Sequence, residues 1–193
     1  GGSPFITAMQ GDFMNKFSAG TLTAGAKLTF RSNSQYHEFY SNENDQWIYS
    51  EYFSKDLLHT ELVPAAYLMF SSKAGKRFSY KAGFRGEFST VTLSSVHEDL
   101  HKRNNSFFLA PSLSGTYRIS DTNEIAAAFS RRIGRPTYPQ LNPYMSMVDA
   151  TTFEQGNMHL RPEKASKLDL SYSIKNKYVH FFADAYLNHI SDY

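Results

Sequence analysis

The sequence predicts an all-β protein of consecutive antiparallel strands, arranged as an up-and-down transmembrane β-barrel wall. Three observations carry that reading. Apolar residues recur with a period of two in one segment after another. Several of these segments run for about ten residues or more, whereas strands of soluble proteins commonly have about 5–6. Ten tilted residues rise roughly 25 Å, the height of the apolar band of an outer-membrane barrel. The connections between segments also alternate between short and long, as periplasmic turns and extracellular loops do.

Taken in order, Ile6 to Phe13 is a short, mixed first strand. From Thr21 to Phe39 the parity is clear: Leu22, Ala24, Ala26, Leu28 and Phe30 fall on one face, and Thr21, Thr23, Lys27, Thr29, Arg31, Asn33 and Gln35 on the other. His59 to Ser72 carries apolar residues on both parities, with Pro64 among them, and is the second less regular strand. Phe78, Tyr80, Ala82, Phe84 and Phe88 then oppose Ser79, Lys81, Arg85, Glu87 and Ser89. Phe107, Leu109, Leu113, Tyr117 and Ile119 oppose Ser112, Ser114, Thr116 and Arg118. Ile125, Ala127 and Phe129 give a weaker alternation, Leu168, Leu170, Tyr172 and Ile174 a strong one, and Val179 to Leu187 the last. The sum is about eight strands, with no stretch of helical period.

Short connections are expected near Asn15 to Gly20, Lys73 to Lys76, Ser120 to Asn123 and Asn176-Lys177. Long ones are expected from about Asn42 to Asp56, Val96 to Asn105 and Gly134 to Ala165. If the short connections are periplasmic, both chain ends fall outside the cell. A whole barrel normally begins and ends in the periplasm, so the expectation is a segment of a larger wall. Gly1-Gly2-Ser3 has the look of an expression scar, which leaves residues 4–193 as a partial barrel domain.

Composition narrows the classes. In 193 residues, 20 basic and 18 acidic side chains are scattered without a basic face, so nucleic acid is not an expected partner. Aromatics make up 16%, with 13 Tyr and 16 Phe, which suits strands set in an apolar phase. The absence of Cys removes thiolate chemistry and disulfides. No run approaches the roughly 18 apolar residues of a membrane helix.

The most distinctive segment runs from Phe129 to Leu170. Pro136, Pro139 and Pro143 forbid regular ladder pairing, Gly156-Asn157 supplies a turn, and Pro162 precedes re-entry to a strand. Tyr138, Tyr144 and Phe153 anchor what is expected to be an ordered loop of roughly thirty residues. This stretch resembles the barrel of TonB-dependent outer-membrane receptors of the Bacteroidota type. The residues carrying the resemblance are Ser130-Arg131-Arg132-Ile133, Arg135-Pro136, Tyr138, Gln140-Leu141-Asn142-Pro143, Glu154, Gly156-Asn157, Leu160 and Pro162-Glu163. The resemblance implies a barrel of roughly 22 strands plugged by an N-terminal domain. It also implies import energised by the TonB complex through that plug, with outer-membrane lipid around the wall and a surface lipoprotein as a further possible partner. The residues of the motif are expected chiefly to shape and brace the loop. Direct contact with a solute is the alternative, in which Arg131, Arg132 and Arg135 would meet an anion.

His97-Glu98-Asp99-Leu100-His101 matches the zinc-hydrolase pattern H-E-x-x-H literally. That chemistry needs a helix to bring both imidazoles to one face, and the flanking β-rich and polar sequence supplies none, so a solvated loop is expected. No arrangement supports catalysis, and neither an enzyme nor a cofactor is expected. Lys27, Arg31, Lys81, Arg85, Glu87, Arg118 and Asp169 lie on polar strand faces. They are candidates for a lumen wall of paired charges or, more sharply, a solute path. Tyr36, Tyr80, Tyr117, Tyr172 and Tyr186 are candidates for interfacial girdles.

The functional expectation is part of an outer-membrane receptor of a Gram-negative bacterium that imports a scarce solute such as a siderophore, a glycan or cobalamin. The alternatives are a passive or structural outer-membrane barrel and a soluble eight-stranded ligand-binding barrel.

Overall fold

The computed structural model describes residues 2–51, 54–95, 98–149 and 151–191. Eight long strands form one antiparallel sheet: β1 (Gly2–Phe17), β2 (Gly20–His37), β5 (Lys55–Ala74), β6 (Phe78–Ser94), β7 (His101–Arg118), β8 (Asn123–Gly134), β11 (Glu163–Lys175) and β12 (His180–Ser191). Between β2 and β5 stands a small hairpin of β3 (Tyr40–Glu43) and β4 (Gln46–Tyr49). Between β8 and β11 lie the one-turn helix α1 (Tyr138–Leu141) and the short pair β9 (Ser146–Met147) and β10 (Phe153–Glu154). The long strands follow one another in sheet order, so each pairs with its successor in the wall. Among the described residues β1 pairs only with β2 and β12 only with β11, which leaves an open edge at each side.

All eight expected strands are present, from 12 residues in β8 to 20 in β5, and all but β2 are longer than the alternation marked; β2 ends at His37, short of the Phe39 that the alternation reached. The two irregular segments are full strands, and β5 shows why its pattern is mixed. Its odd residues Leu57, Val63 and Ala65 are buried, while Leu58, Leu62 and Leu68 on the even parity are exposed, so both faces carry apolar groups for different reasons. Pro64 keeps its place opposite Leu28 of β2, whereas the pairing of β5 with β6 skips Val63 and Pro64. The missing N–H therefore faces β6.

The turns follow their side chains. Gly75 has φ +68° in the β5–β6 turn, Asn44 and Asp45 take φ 53° and 63° at the tip of β3–β4, and Asn176 Oδ1 accepts the N–H groups of Tyr178 and Val179 at 2.8 Å in the β11–β12 turn. At Gly25 the need is close approach. Tyr67 lies across β2 to donate to Asp12 Oδ1 on β1 at 2.5 Å, and a Cβ on Gly25 would fall 2.4 Å from that carboxylate oxygen.

The connections of 18–19, 75–77, 119–122 and 176–179 lie at one end of the sheet, and the longer ones at the other. One expectation is corrected here: the connection after β6 does not extend to Asn105. The strand β7 resumes at His101, because Lys102, Arg103, Asn104 and Asn105 pair with Leu93, Thr92, Val91 and Thr90, and their polar side chains do not prevent a ladder of backbone groups.

Candidate functional site

Register alone brings the predicted polar residues to one face. Lys27 stands opposite Ala65 and that residue opposite Glu87; Arg31 is opposite Glu61, Lys81 opposite Ser71 and Ser114, and Arg85 opposite Tyr67. Arg118 faces Glu124, and Asp169 faces Ala128, which is itself opposite Ser114. Directly opposed residues share a face, so all seven predicted residues lie on one side of the sheet. The other face carries the exposed apolar row, including Leu28, Phe84, Phe88, Phe107, Leu109, Leu113 and Leu168. Tyr36, Tyr80, Tyr117 and Tyr172 stand on this apolar face, but Tyr186 is a correction: it pairs with Asp169 on the polar side, where Lys167 Nζ lies 5.5 Å from its ring centre.

The centre of the polar face is an ion network. Arg31 Nη1 donates to Glu61 Oε2 at 2.6 Å, and Arg85 Nε donates to Glu87 Oε1 at 2.5 Å. Arg135, which leaves β8 one residue beyond its end, reaches back and joins the two carboxylates. Its Nη2 donates to Glu87 Oε2, and its Nε lies 3.2 Å from Glu61 Oε1 as an ion pair without an aligned hydrogen bond. Ser89 Oγ donates to Glu61 Oε1 at 3.5 Å. Glu61 is 5% exposed, so its charge is held by these partners rather than by water. Lys167 pairs with Asp169 at 2.7 Å on the same strand, while Lys27, Lys81 and Arg118 make no ion pair among the described residues.

Glu61 is the residue that sequence reasoning missed. Its signal was a single carboxylate within the largely apolar run His59 to Phe70, where an ionised group needs a partner.

The motif loop is built onto this network. Thr137 N–H donates to Gln140 Oε1 at 2.8 Å, starting α1 with a capping box. The helix ends at Leu141, which is 4% exposed and seated on Leu57 and Leu93 of β5 and β6. Gly156 N–H donates to Asn142 O and Asn157 N–H to Gln140 O, both at 2.7 Å, so the predicted turn lies flat against the helix. A Cβ on Gly156 would stand 2.5 Å from the carbonyl oxygens of both Pro139 and Gln140. Asn142 Oδ1 accepts Tyr144 N–H at 3.0 Å, and Gln155 Nε2 donates to Pro143 O at 2.7 Å. Burial pushes the Tyr138 hydroxyl up to about 12, helped by the nearby Tyr144 and Asp56.

The three motif arginines separate. Arg135 joins the network, Arg132 has the parity of the polar face opposite Ala165, and Arg131 that of the apolar face opposite Ser166. Pro136 follows Arg135 inward, Leu160 is exposed, and Pro162 leads into Glu163, which begins β11 opposite Gly134. Of the zinc-like sequence, His97 lies outside the described residues. Glu98 is in the connection, where it accepts from Lys55, and His101 opens β7, so no helix joins them. That hydrogen bond holds the Glu98 carboxyl below its ordinary value. Among the described residues no cluster of metal-ligating side chains is present.

A profile of the outer membrane protein beta-barrel family matches residues 5–193. The chain belongs to that family. As an outer-membrane β-barrel protein it sits in the outer membrane of a Gram-negative bacterium, and its exposed apolar face has its solvent in lipid. No curated protein sequence matches it. Among solved structures, the copper transporter OprC superposes on 100% of this chain with a TM-score of 0.73 and 13% identity. The ferric enterobactin receptor PfeA of Pseudomonas aeruginosa covers 96% with a TM-score of 0.46 and 12% identity. The outer-membrane barrel chain spans 31% of the former and 35% of the latter, and the likeness to OprC is one of fold.

Proposed function

We propose that this chain is part of the wall of a TonB-dependent outer-membrane receptor of the Bacteroidota type, which binds a scarce solute outside the cell and imports it. In this reading the polar face lines the lumen, the short turns lie in the periplasm, and the long connections stand outside. Residues 4–193 contribute eight strands to a barrel of roughly 22. Its remaining strands and its plug lie elsewhere in the receptor, and the plug receives the TonB complex. A siderophore, glycan or cobalamin is the class of cargo, and a surface lipoprotein is a fitting partner.

The observation that supports the reading is the inward fold of the loop from 135 to 162. Rather than standing free, it is tied to carboxylates on two neighbouring strands through Arg135 and seated on Leu57 and Leu93 through Leu141. A fixed mouth of this kind gives a receptor a shaped surface, whereas a passive pore needs only an opening. Most of the motif residues are then braces, with Arg132, Lys27, Lys81 and Arg118 left to meet a solute or a plug.

The test is uptake by cells carrying the gene as their sole receptor of this type, offered a panel of iron chelates, cobalamin and oligosaccharides. The reading expects uptake of one of them that stops when TonB is disrupted. Uptake that continues without TonB would favour the passive barrel.

A further inference from the structure

A cavity of about 480 Å³ lies between the polar face and the motif loop, within the roughly 300–1,000 Å³ of small-molecule sites. Register builds its floor. Glu61 of β5 stands opposite Val91 of β6, and that residue opposite Asn104 of β7. In the next row Ser89 stands opposite Ser106, and His59 is two residues from Glu61 on the same face of β5. The loop covers this patch with Arg135, Leu141, Leu160 and Pro162.

The floor carries hydrogen-bonding groups without protein partners. His59 is only 8% exposed and its ring is held edge-on by Tyr138, with centroids 6.1 Å apart. It lines the cavity and makes no hydrogen bond among the described residues, and the same is true of Ser106. Asn104 gives its amide N–H to Met158 O at 3.4 Å, which leaves its side-chain oxygen open. A neutral imidazole has one donor and one acceptor, and a hydroxyl serves as both, so a ligand that takes the place of water here must also do both. The charges of the floor select against a charged ligand. Glu61 already accepts from Arg31 and lies against Arg135, which is shared with Glu87. A carboxylate entering beside Glu61 meets repulsion, and so does a cation entering beside Arg135. The further cations Arg161 and Lys164 come from the loop and the start of β11 rather than from this floor, and Arg161 is exposed, where salt screens it. Val91, Leu141 and Leu160 add apolar surface. A neutral ring that carries hydroxyls and presents C–H faces has the chemistry this lining asks for, and that is a sugar.

We propose that the cavity beneath the motif loop is a binding site for a neutral sugar unit, hydrogen-bonded by His59, Asn104 and Ser106 and packed against Leu141 and Leu160. The sugar's being cargo rests on the receptor reading above, of which this selects one solute class. Its binding rests on the floor and the loop alone.

The test is saturation-transfer NMR on the complete barrel protein in a detergent without a sugar head group. Maltose, cellobiose, lactose and mannobiose are the probes, and glucose, glucuronate and glucosamine compare a neutral ring with its charged counterparts. At least one of the four disaccharides should bind, and glucose should bind more tightly than either charged ring. His59→Phe, which keeps a ring and loses its nitrogens, and Asn104→Leu should each weaken disaccharide binding about tenfold. Ser106→Ala should weaken it about threefold, and because it removes one oxygen it keeps the comparison available should either larger change fail to fold. Thr116→Ala, on the same face near the short turns, should leave binding unchanged. Binding of none of the four, tighter binding of a charged ring, or indifference to all three variants would overturn the site. Uptake separates that outcome from the receptor reading. TonB-dependent uptake of an iron chelate by a protein that binds no sugar would sink the site and leave the receptor, and sugar binding with uptake that ignores TonB would do the reverse.

Discussion

Arg135 joins Glu61 and Glu87, carboxylates on two neighbouring strands, and Glu61 is so far buried that its charge depends on these partners rather than on water. Truncating Arg135 leaves Glu61 with Arg31 and Glu87 with Arg85, so the expected cost is that of one buried charge partner, about 2–3 kcal/mol. It should appear as faster amide exchange across 135–162 with the wall strands unchanged. Arg135→Lys should recover only part, since one ammonium cannot span two carboxylates as a guanidinium does. Gly156→Ala acts on the same loop by a different route. Its new Cβ meets two backbone oxygens that cannot rotate away, so the loop should become a protease-sensitive segment at a cost of about 1–3 kcal/mol. The residue scale is also where sequence reading lost most. Glycine, asparagine and prolines marked a structured loop, but nothing in their spacing said that Arg135 turns inward while Arg131 turns outward. That depends on which parity β8 presents and on a carboxylate far upstream in β5.

At the scale of elements, the period of two was sufficient for the strands because one face meets lipid and the other does not, and each residue keeps its face along the whole strand. The exceptions are physical. The strand β5 was hard to read because its loop-end polar face is itself covered, so Leu57, Val63 and Ala65 are apolar where the rule asks for polar groups. The start of β7 is hidden in the sequence because its first residues are polar on both faces, although their backbones pair. Pro111 gives this scale its prediction: the β7–β8 ladder ends at Ser112↔Ser130, beside a proline that has no N–H to donate, so Pro111→Val should let the ladder extend and slow amide exchange at Arg132 and Ile133. The connection between β6 and β7 is pH-sensitive through Glu98. Its carboxyl is held below the ordinary value of about 4.5 by Lys55, so the contact contributes fully above that value and is lost as pH falls through the lower, folded one. Exchange at residues 98–100 should therefore rise in acid below about pH 4.5, and Glu98→Gln should remove that dependence.

For the whole molecule, two open edges and a continuous apolar face mean that these residues alone, in buffer without detergent, should associate into large species by light scattering, while detergent should hold them apart. A stable monomer in plain buffer would instead support a closed soluble barrel. Fold class was legible at this scale because strand period, strand length and connection length all point to one solvent. Cargo was not, since the wall supplies only part of the surface that would choose it. The central claim is that the motif loop faces the outside and the short turns the periplasm. It is tested directly by single cysteines in the complete barrel protein, a clean experiment for this stretch because it has no Cys of its own. Thr151→Cys in the long loop should react with a membrane-impermeant maleimide on intact cells, and Lys76→Cys, at an exposed position of the β5–β6 turn, only after the outer membrane is permeabilised. Labelling of Lys76→Cys on intact cells with Thr151→Cys protected would contradict the account.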